Sequence, residues 1–107
     1  MDVSELEFKR GVAECEADIE RSSIRLFWQT RSAWGDYMTE LFSTRFGIVV
    51  SHTSDMTTAE QSSFRAGYNS RTRLYIDQTF GVGTFQNAVD DVDSFRMKRY
   101  REHFPEG

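Results

Sequence analysis

The segment SIRLFWQTRSAWGDYMTELF, residues 23–42, constrains the fold more than any other part of this sequence. At about 100° per residue, its large apolar side chains and that of Phe46 fall on one continuous arc of roughly 180 to 200°. A helix that packs on a small core needs an apolar face of only roughly 100°. The pattern predicts a helix that ends near Gly47, with part of its arc facing a second surface.

Arg31 and Gly35 lie within this apolar arc. A charged group on an apolar face must be paired, reach solvent or lie at an interface. A glycine on a bulky face lets another backbone approach closely. Two interpretations stay open: an ion pair of Arg31 within the chain, or a contact with a subunit or partner.

A first helix is predicted over residues 3–21, where a narrow apolar seam recurs at helical spacing. The seam consists of Phe8, Val12, Cys15 and Ile19. Neither Gly nor Pro occurs between residues 12 and 34. The first two helices therefore either form one rod of about forty residues or are separated by a new helix cap at Ser22 or Ser23.

Downstream, the β-branched run within residues 47–52 predicts a short strand. Thr57 and Glu60 have the spacing of a capping box, which predicts a third helix that runs to about residue 71. Residues 73–80 alternate between apolar and polar side chains. They are either a strand that pairs with residues 47–52 or a continuation of the third helix.

The glycines at 81 and 83 break the chain, and Thr84 is predicted to cap a last helix that Pro105 ends. A chain of 107 residues is the size of one domain. The sequence thus predicts a mainly α-helical single domain over residues 1–107. It has three or four helices and a minor two-stranded pairing between residues 47–52 and 73–80.

Composition and charge exclude several classes of protein. Cys15 is the single cysteine, so neither an internal disulfide nor a thiolate metal cluster can form. The net charge of −4 disfavours a general nucleic-acid binder. The sequence has no apolar run of about 18 residues and lacks a signal-peptide pattern at its N-terminus. We therefore expect a soluble, cytoplasmic protein without membrane contact.

Candidate catalytic and metal-binding patterns are weak. His52 and Asp55, in SHTSD at residues 51–55, match no triad or nucleophile-elbow signature. The acidic runs at 14–20 and 90–93 lack EF-hand spacing. FGVGTF, at residues 80–85, lacks the lysine of a phosphate-binding loop. The sequence predicts no enzyme activity, no metal and no cofactor.

Aromatic residues make up 14% of the chain, which is more than a small core needs. Aromatic and arginine side chains are the anchors that dominate binding at protein interfaces. The sequence therefore predicts a protein partner and a homodimer rather than nucleic acid. The predicted partner-binding residues are Trp28, Arg31, Trp34, Gly35, Tyr37, Arg65, Tyr68 and Arg71.

The run AEQSSFRAGYNSR, residues 59–71, combines two aromatic residues with a small residue, a glycine and nearby arginines. It resembles a helix pattern of small phage-encoded accessory proteins. The resemblance implies a non-enzymatic protein that inhibits or modulates a host macromolecular complex, such as a defence system, by occupying its surface.

Three functional hypotheses remain. The leading one is a non-catalytic protein-binding module. The second is a structural or assembly protein that self-associates through the seam of the first helix. The third is a small enzyme or nucleotide binder that uses the loop around His52.

Overall fold

A computed structural model describes residues 2–28, 34–53 and 57–103 of the chain, without the side chains of residues 34, 35, 99, 100 and 103. The fold is mainly helical, with four helices and a small parallel sheet, which confirms the predicted fold class. In chain order the elements are α1 (Val3–Glu20), β1 (Arg25–Trp28), α2 (Trp34–Phe46), β2 (Val49–His52), α3 (Ala59–Phe80) and α4 (Thr84–His103).

The sheet is formed by β1 and β2, which run parallel with Arg25 opposite Val49 and Trp28 opposite His52. Parallel neighbours need a crossover connection, and α2 supplies it. The predicted pairing of residues 47–52 with residues 73–80 is therefore wrong in its second strand. Residues 73–80 continue α3, because Ile76 extends the buried helical face that includes Thr72.

The predicted start of the second helix at residue 23 is also wrong. Ile24 and Leu26 are buried and flank an exposed Arg25, which is the alternation of a half-buried strand. The helix itself begins at Trp34. The arc predicted for residues 23–42 was wide because it joined a strand and a helix in one helical projection, so its width alone does not indicate a second surface.

A turn separates α1 from β1. Ser22 has a φ of 57°, in the left-handed region, and the Ser23 N–H donates to the carbonyl of Asp18 at 2.9 Å. The alternative of one continuous rod is therefore wrong. The predicted helix cap at Ser22 or Ser23 is wrong as well, since the chain enters a strand at this point.

The start of α3 lies one residue beyond the prediction. Thr58 and Gln61 form the capping box instead of Thr57 and Glu60, with each side chain bonded to the other's backbone N–H at 3.1 Å. The end of α2 is as predicted. Gly47 has a φ of 68°, a conformation that glycine adopts without strain.

The core lies between the sheet and the helices, and several aromatic rings fill it. Phe42 packs edge-to-face against Phe46 and Phe85, at centroid distances of 5.3 and 6.1 Å. The largest fully buried side chains are Tyr68, Phe42, Leu26, Met38, Ile48, Ile76, Thr72 and Cys15. The set comes from α1, β1, α2 and α3 and from Ile48, which directly precedes β2, so the core joins α1 and α3 to the β1–α2–β2 unit.

The backbones of α1 and α3 touch at two glycines. A Cβ added to Gly11 would lie 2.0 Å from the carbonyl oxygen of Phe64. One added to Gly67 would lie 2.0 Å from the carbonyl oxygen of Phe8. No side chain fits in either gap, so this contact fixes how closely α1 and α3 approach each other.

Candidate functional site

The edge of β1 that faces away from β2 is closed by side chains of α3. The hydroxyl of Tyr68 accepts from the Arg25 N–H at 3.0 Å, and the Thr72 hydroxyl donates to the Arg25 carbonyl at 2.8 Å. Asn69 accepts from the Phe27 N–H at 2.8 Å and donates to the Phe27 carbonyl at 2.7 Å. These side chains replace a third strand, so β1 is held rigidly against α3.

The two faces of the sheet differ in how exposed their side chains are. Leu26 and Val50 face the core, where they are 0% and 5% exposed. On the opposite side Val49 is 59% exposed. We call this side the outer sheet face, and it consists of Arg25, Phe27, Val49 and Ser51. Parallel sheets are normally covered on both faces, so the exposure of Val49 marks an unusual surface.

A cleft of about 460 Å³ adjoins the outer sheet face between α1, α3 and β1. We call it the arginine cleft. Its lining includes the arginines Arg10, Arg21 and Arg25 and the aromatic residues Phe27, Phe64 and Tyr68. Because Arg25 and Phe27 belong to both, the cleft and the outer sheet face form one continuous surface.

Asp18 and Tyr68 form a hydrogen-bonded pair at the cleft. The Tyr68 hydroxyl donates to Asp18 at 2.6 Å, and Arg21 donates to the other carboxylate oxygen of Asp18. The hydrogen bond from Tyr68, followed by that from Arg21, lowers the pKa of Asp18 below its ordinary value of 3.8. Burial, helped by the bond to Asp18, raises the pKa of Tyr68 well above 10.0. The pair is therefore an ionised carboxylate and a neutral phenol.

These shifts predict how stability depends on pH. The lowered pKa of Asp18 stabilises the fold above about pH 4, and this stabilisation is lost as the pH falls through the folded-state value. The raised pKa of Tyr68 stabilises the fold below about pH 10, and this contribution is lost as the pH rises further. We expect Tyr68→Phe to remove this contribution to the alkaline loss and leave a shallower slope, as measured by urea unfolding between pH 9 and 11. Equal slopes for the variant and the wild type would contradict the assignment.

Arg10 and Arg21 are much more exposed than the acids that lie nearest to them, whereas Glu14, 3.7 Å from Arg21, is itself 55% exposed. The side chain of Arg10 is 66% exposed above Glu7 at 18%, with 2.6 Å between the charged atoms. The side chain of Arg21 is 61% exposed above Asp18 at 12%. Within the described residues, the Arg25 guanidinium forms no ion pair or hydrogen bond. The outer rim of the cleft is therefore formed mainly by guanidinium groups.

Three of the predicted partner-binding residues are aromatic side chains that pack within the fold. Tyr68 is 1% exposed, so its ring belongs to the core. Tyr37 stacks on Phe95 at a centroid distance of 4.2 Å. Trp28 is half-buried and packs against the core at the end of β1. Their partner-binding role stays a prediction, with the ring of Tyr68 inaccessible in this conformation.

The remaining predicted residues are dispersed. Arg65 donates to the Thr57 hydroxyl at 2.8 Å. The Arg71 Nε lies 3.9 Å from a carboxylate oxygen of Glu16, and its Nη1 is buried without a hydrogen-bond partner among the described residues. Trp34 and Gly35 begin α2, but their side chains lie outside the described part. Arg31 also lies outside it, so its ion pair or partner contact stays a prediction.

Among the predicted residues whose side chains the structure describes, Tyr68 also lines the arginine cleft. The polar side of α1 was not predicted as a site, although Arg10, Glu14, Asp18 and Arg21 recur there at intervals of four, four and three. This spacing places them on one helical face. Their position next to the buried Gly11 was the signal that this face lies beside a helix contact.

Neither His52 nor Cys15 lines the arginine cleft. The Nε2 of His52 lies 2.9 Å from the Thr39 hydroxyl oxygen, while Asp55 lies outside the described residues. Cys15 is fully buried, 3.3 Å from the Thr72 hydroxyl oxygen, and burial raises the pKa of its thiol above 9.0. The part of the chain that the structure describes contains no group of three metal-binding side chains.

None of the described helices has both the length and the apolar character needed to cross a membrane. No protein-family model, curated protein or solved structure matches this chain.

Proposed function

We propose that this chain is a non-catalytic protein-binding module that holds a protein partner against its outer sheet face. The observation that carries the proposal is the 59% exposure of Val49 on one face of a parallel sheet. A partner that covered Val49 and Phe27 would supply the second layer that parallel sheets normally have. The arginine cleft would lie beneath the same partner, because Arg25 and Phe27 belong to both surfaces.

The rigidity of this surface supports the proposal. Asn69 binds both backbone groups of Phe27, and Tyr68 and Thr72 bind those of Arg25. A surface that is already ordered loses little conformational entropy when it binds. The combination of aromatic rings and arginines is also typical of the residues that dominate interface energy.

We expect Val49→Asp to weaken partner binding at least about tenfold, because it places a charge at the centre of an apolar contact. Leu74→Asp is the matched control, since Leu74 is 48% exposed on α3 and lies outside the proposed surface. Both variants are compared with the wild type in affinity capture from the native host, followed by titration of the captured protein. Circular dichroism verifies that both variants fold.

A partner retained equally by the wild type and by Val49→Asp would contradict this use of the surface. So would a partner lost equally from both variants, because that result would show sensitivity to added charge anywhere on the chain.

The resemblance of residues 59–71 to phage accessory proteins supports a host macromolecular complex as the class of partner. On this proposal the chain inhibits or modulates that complex by occupying its surface. The identity of the captured protein tests this extension directly: a component of a defence system or another host complex is expected.

Self-association is a second candidate, because β2 has one edge that does not pair with β1. The N–H groups of Val49 and Thr53 bond to Ile24 and Trp28, so the backbone groups of Val50 point away from β1. The strand carries neither lysine nor proline, which natural proteins use to block exposed edges. Light scattering across a concentration series should show a dimer, and a monomer at high micromolar concentration would contradict this candidate.

A further inference from the structure

We infer that the arginine cleft recognises carboxylate side chains on an acidic segment of the protein partner. This inference rests on the proposed function and adds the chemistry that the partner must present. Its basis is the arrangement of charge in the cleft, together with the availability of Arg25.

In two of the three ion pairs that the cleft arginines form among the described residues, the carboxylate lies beneath the guanidinium group. Glu7 and Asp18 lie beneath the arginines that they pair with, at 18% and 12% exposure against 66% and 61% for Arg10 and Arg21. Glu14 is the exception, with its side chain 55% exposed beside Arg21. A molecule that approaches from solvent therefore meets three guanidinium groups and one carboxylate at the rim. This arrangement creates a local positive rim on a chain whose net charge is −4.

Two of the rim arginines are held in place before any ligand binds. Arg10 pairs with Glu7 and lies over the ring of Phe64, at 5.9 Å from the centroid. Arg21 pairs with Asp18, which Tyr68 in turn fixes. The same Nη2 of Arg21 also lies 3.7 Å from a carboxylate oxygen of Glu14. A guanidinium group has five N–H donors, so both arginines keep donors for the carboxylate of a ligand.

Arg25 completes the rim. Its backbone is fixed by Tyr68 and Thr72, while its guanidinium forms no ion pair or hydrogen bond with the described residues. An arginine can bind a carboxylate through two parallel hydrogen bonds. Arg25 is thus the cation most available to a ligand, and it lies where the cleft meets the outer sheet face.

Carboxylates fit this cleft better than a polyanion such as nucleic acid. Glu14 lines the cleft with its side chain 55% exposed, and it would repel a closely spaced run of phosphates. A peptide can place single carboxylates opposite Arg25 and Arg10 and set an apolar side chain on Phe27 between them. The aromatic rings and the separated arginines that line the cleft favour a peptide in which acidic and apolar residues alternate.

Two fluorescein-labelled peptides test the inference by anisotropy titration against the full chain. One is Glu-Phe-Glu-Glu-Phe-Glu, and the matched control replaces each Glu by Gln. We expect the acidic peptide to bind about tenfold more tightly at low salt, with the difference shrinking as NaCl is raised. Arg25→Gln should weaken the acidic peptide about three- to tenfold. Arg101→Gln, which removes an exposed charge on α4, should leave binding unchanged.

Equal binding of the two peptides would overturn the inference, as would the absence of binding by the acidic peptide at millimolar concentration. Tighter binding of a phosphorylated peptide or of a single-stranded oligonucleotide would overturn it in favour of phosphate recognition.

Capture of the partner by Val49→Asp and by Arg25→Gln distinguishes a failure of this inference from a failure of the proposed function. If Val49→Asp loses the partner but Arg25→Gln keeps it at full affinity, the binding module stands and carboxylate recognition fails. If Val49→Asp keeps the partner, the proposed function itself fails. Loss of the partner from both variants, with retention by Arg101→Gln, supports both proposals.

Discussion

Replacing Gly11 or Gly67 by alanine is expected to lower the free energy of unfolding by about 3 kcal/mol. In each case the new Cβ would lie 2.0 Å from a backbone carbonyl oxygen of the facing helix. No rotamer change relieves such a clash, since both the added atom and the oxygen belong to, or directly adjoin, the backbone. The helices must separate, and their separation would loosen the contact between Cys15 and Thr72 as well.

The sign of the effect makes this test decisive. At an unconstrained helical position, a change from Gly to Ala stabilises the fold by about 0.5 to 1 kcal/mol. Urea unfolding followed by circular dichroism gives the difference for each glycine. The control is Ser62→Ala, an exposed position on α3, for which a change within about 0.5 kcal/mol is expected. Stabilisation by either glycine substitution would show that α1 and α3 do not touch as described.

Asn69→Ala is expected to cost about 2 to 3 kcal/mol, because it leaves two backbone groups of one residue without partners. The side chain of Asn69 binds both the N–H and the carbonyl of Phe27, at 2.8 and 2.7 Å. A parallel sheet of two short strands has few internal bonds with which to compensate. The loss would therefore free β1 from α3 and disorder the outer sheet face.

Asn87→Ala provides a matched control for this substitution. Asn87 is exposed on α4, where alanine has the higher helix propensity, so the control should be neutral or slightly stabilising. Hydrogen exchange of the Phe27 amide gives a second, local measurement. Slow exchange of this amide in Asn69→Ala would show that another group bonds it and that α3 does not replace a strand.

The predicted fold class followed from local patterns that the tertiary structure did not override. The seam of Cys15 and Ile19 predicted α1, the glycine at 47 predicted the end of α2, and the glycines at 81 and 83 predicted the break before α4. Each of these signals depends on a few neighbouring residues. Such patterns predict the structure correctly because they reflect backbone preferences and a single buried face.

The errors arose where two periodicities fit the same residues. Ile24 and Leu26 fit a strand through their spacing of two, while the run as a whole also fits a helical arc. The parallel pairing of β1 with β2 decides between them, and that pairing joins residues 24 positions apart. Residues 73–80 also fit both a strand and a helix, and they are helical because Ile76 packs with the buried face of α3.

The candidate site was harder to predict because its residues come from three elements. Arg10, Arg25 and Phe64 are brought together by the contact of α1 with α3 and by the bonds from α3 to β1. The aromatic residues predicted to bind a partner include Tyr68, whose ring lies in the core. Residue type alone does not separate an aromatic anchor from a core aromatic, and burial does.

Site-specific photo-crosslinking shows whether a protein partner lies on the outer sheet face. A benzophenone amino acid replaces Val49 in one variant and Leu74 in the other, and both chains are irradiated in the native host. We expect a discrete adduct with one protein from position 49 and none from position 74. Adducts from position 74 alone, or equal and heterogeneous labelling from both positions, would contradict the assignment of the outer sheet face as the binding surface.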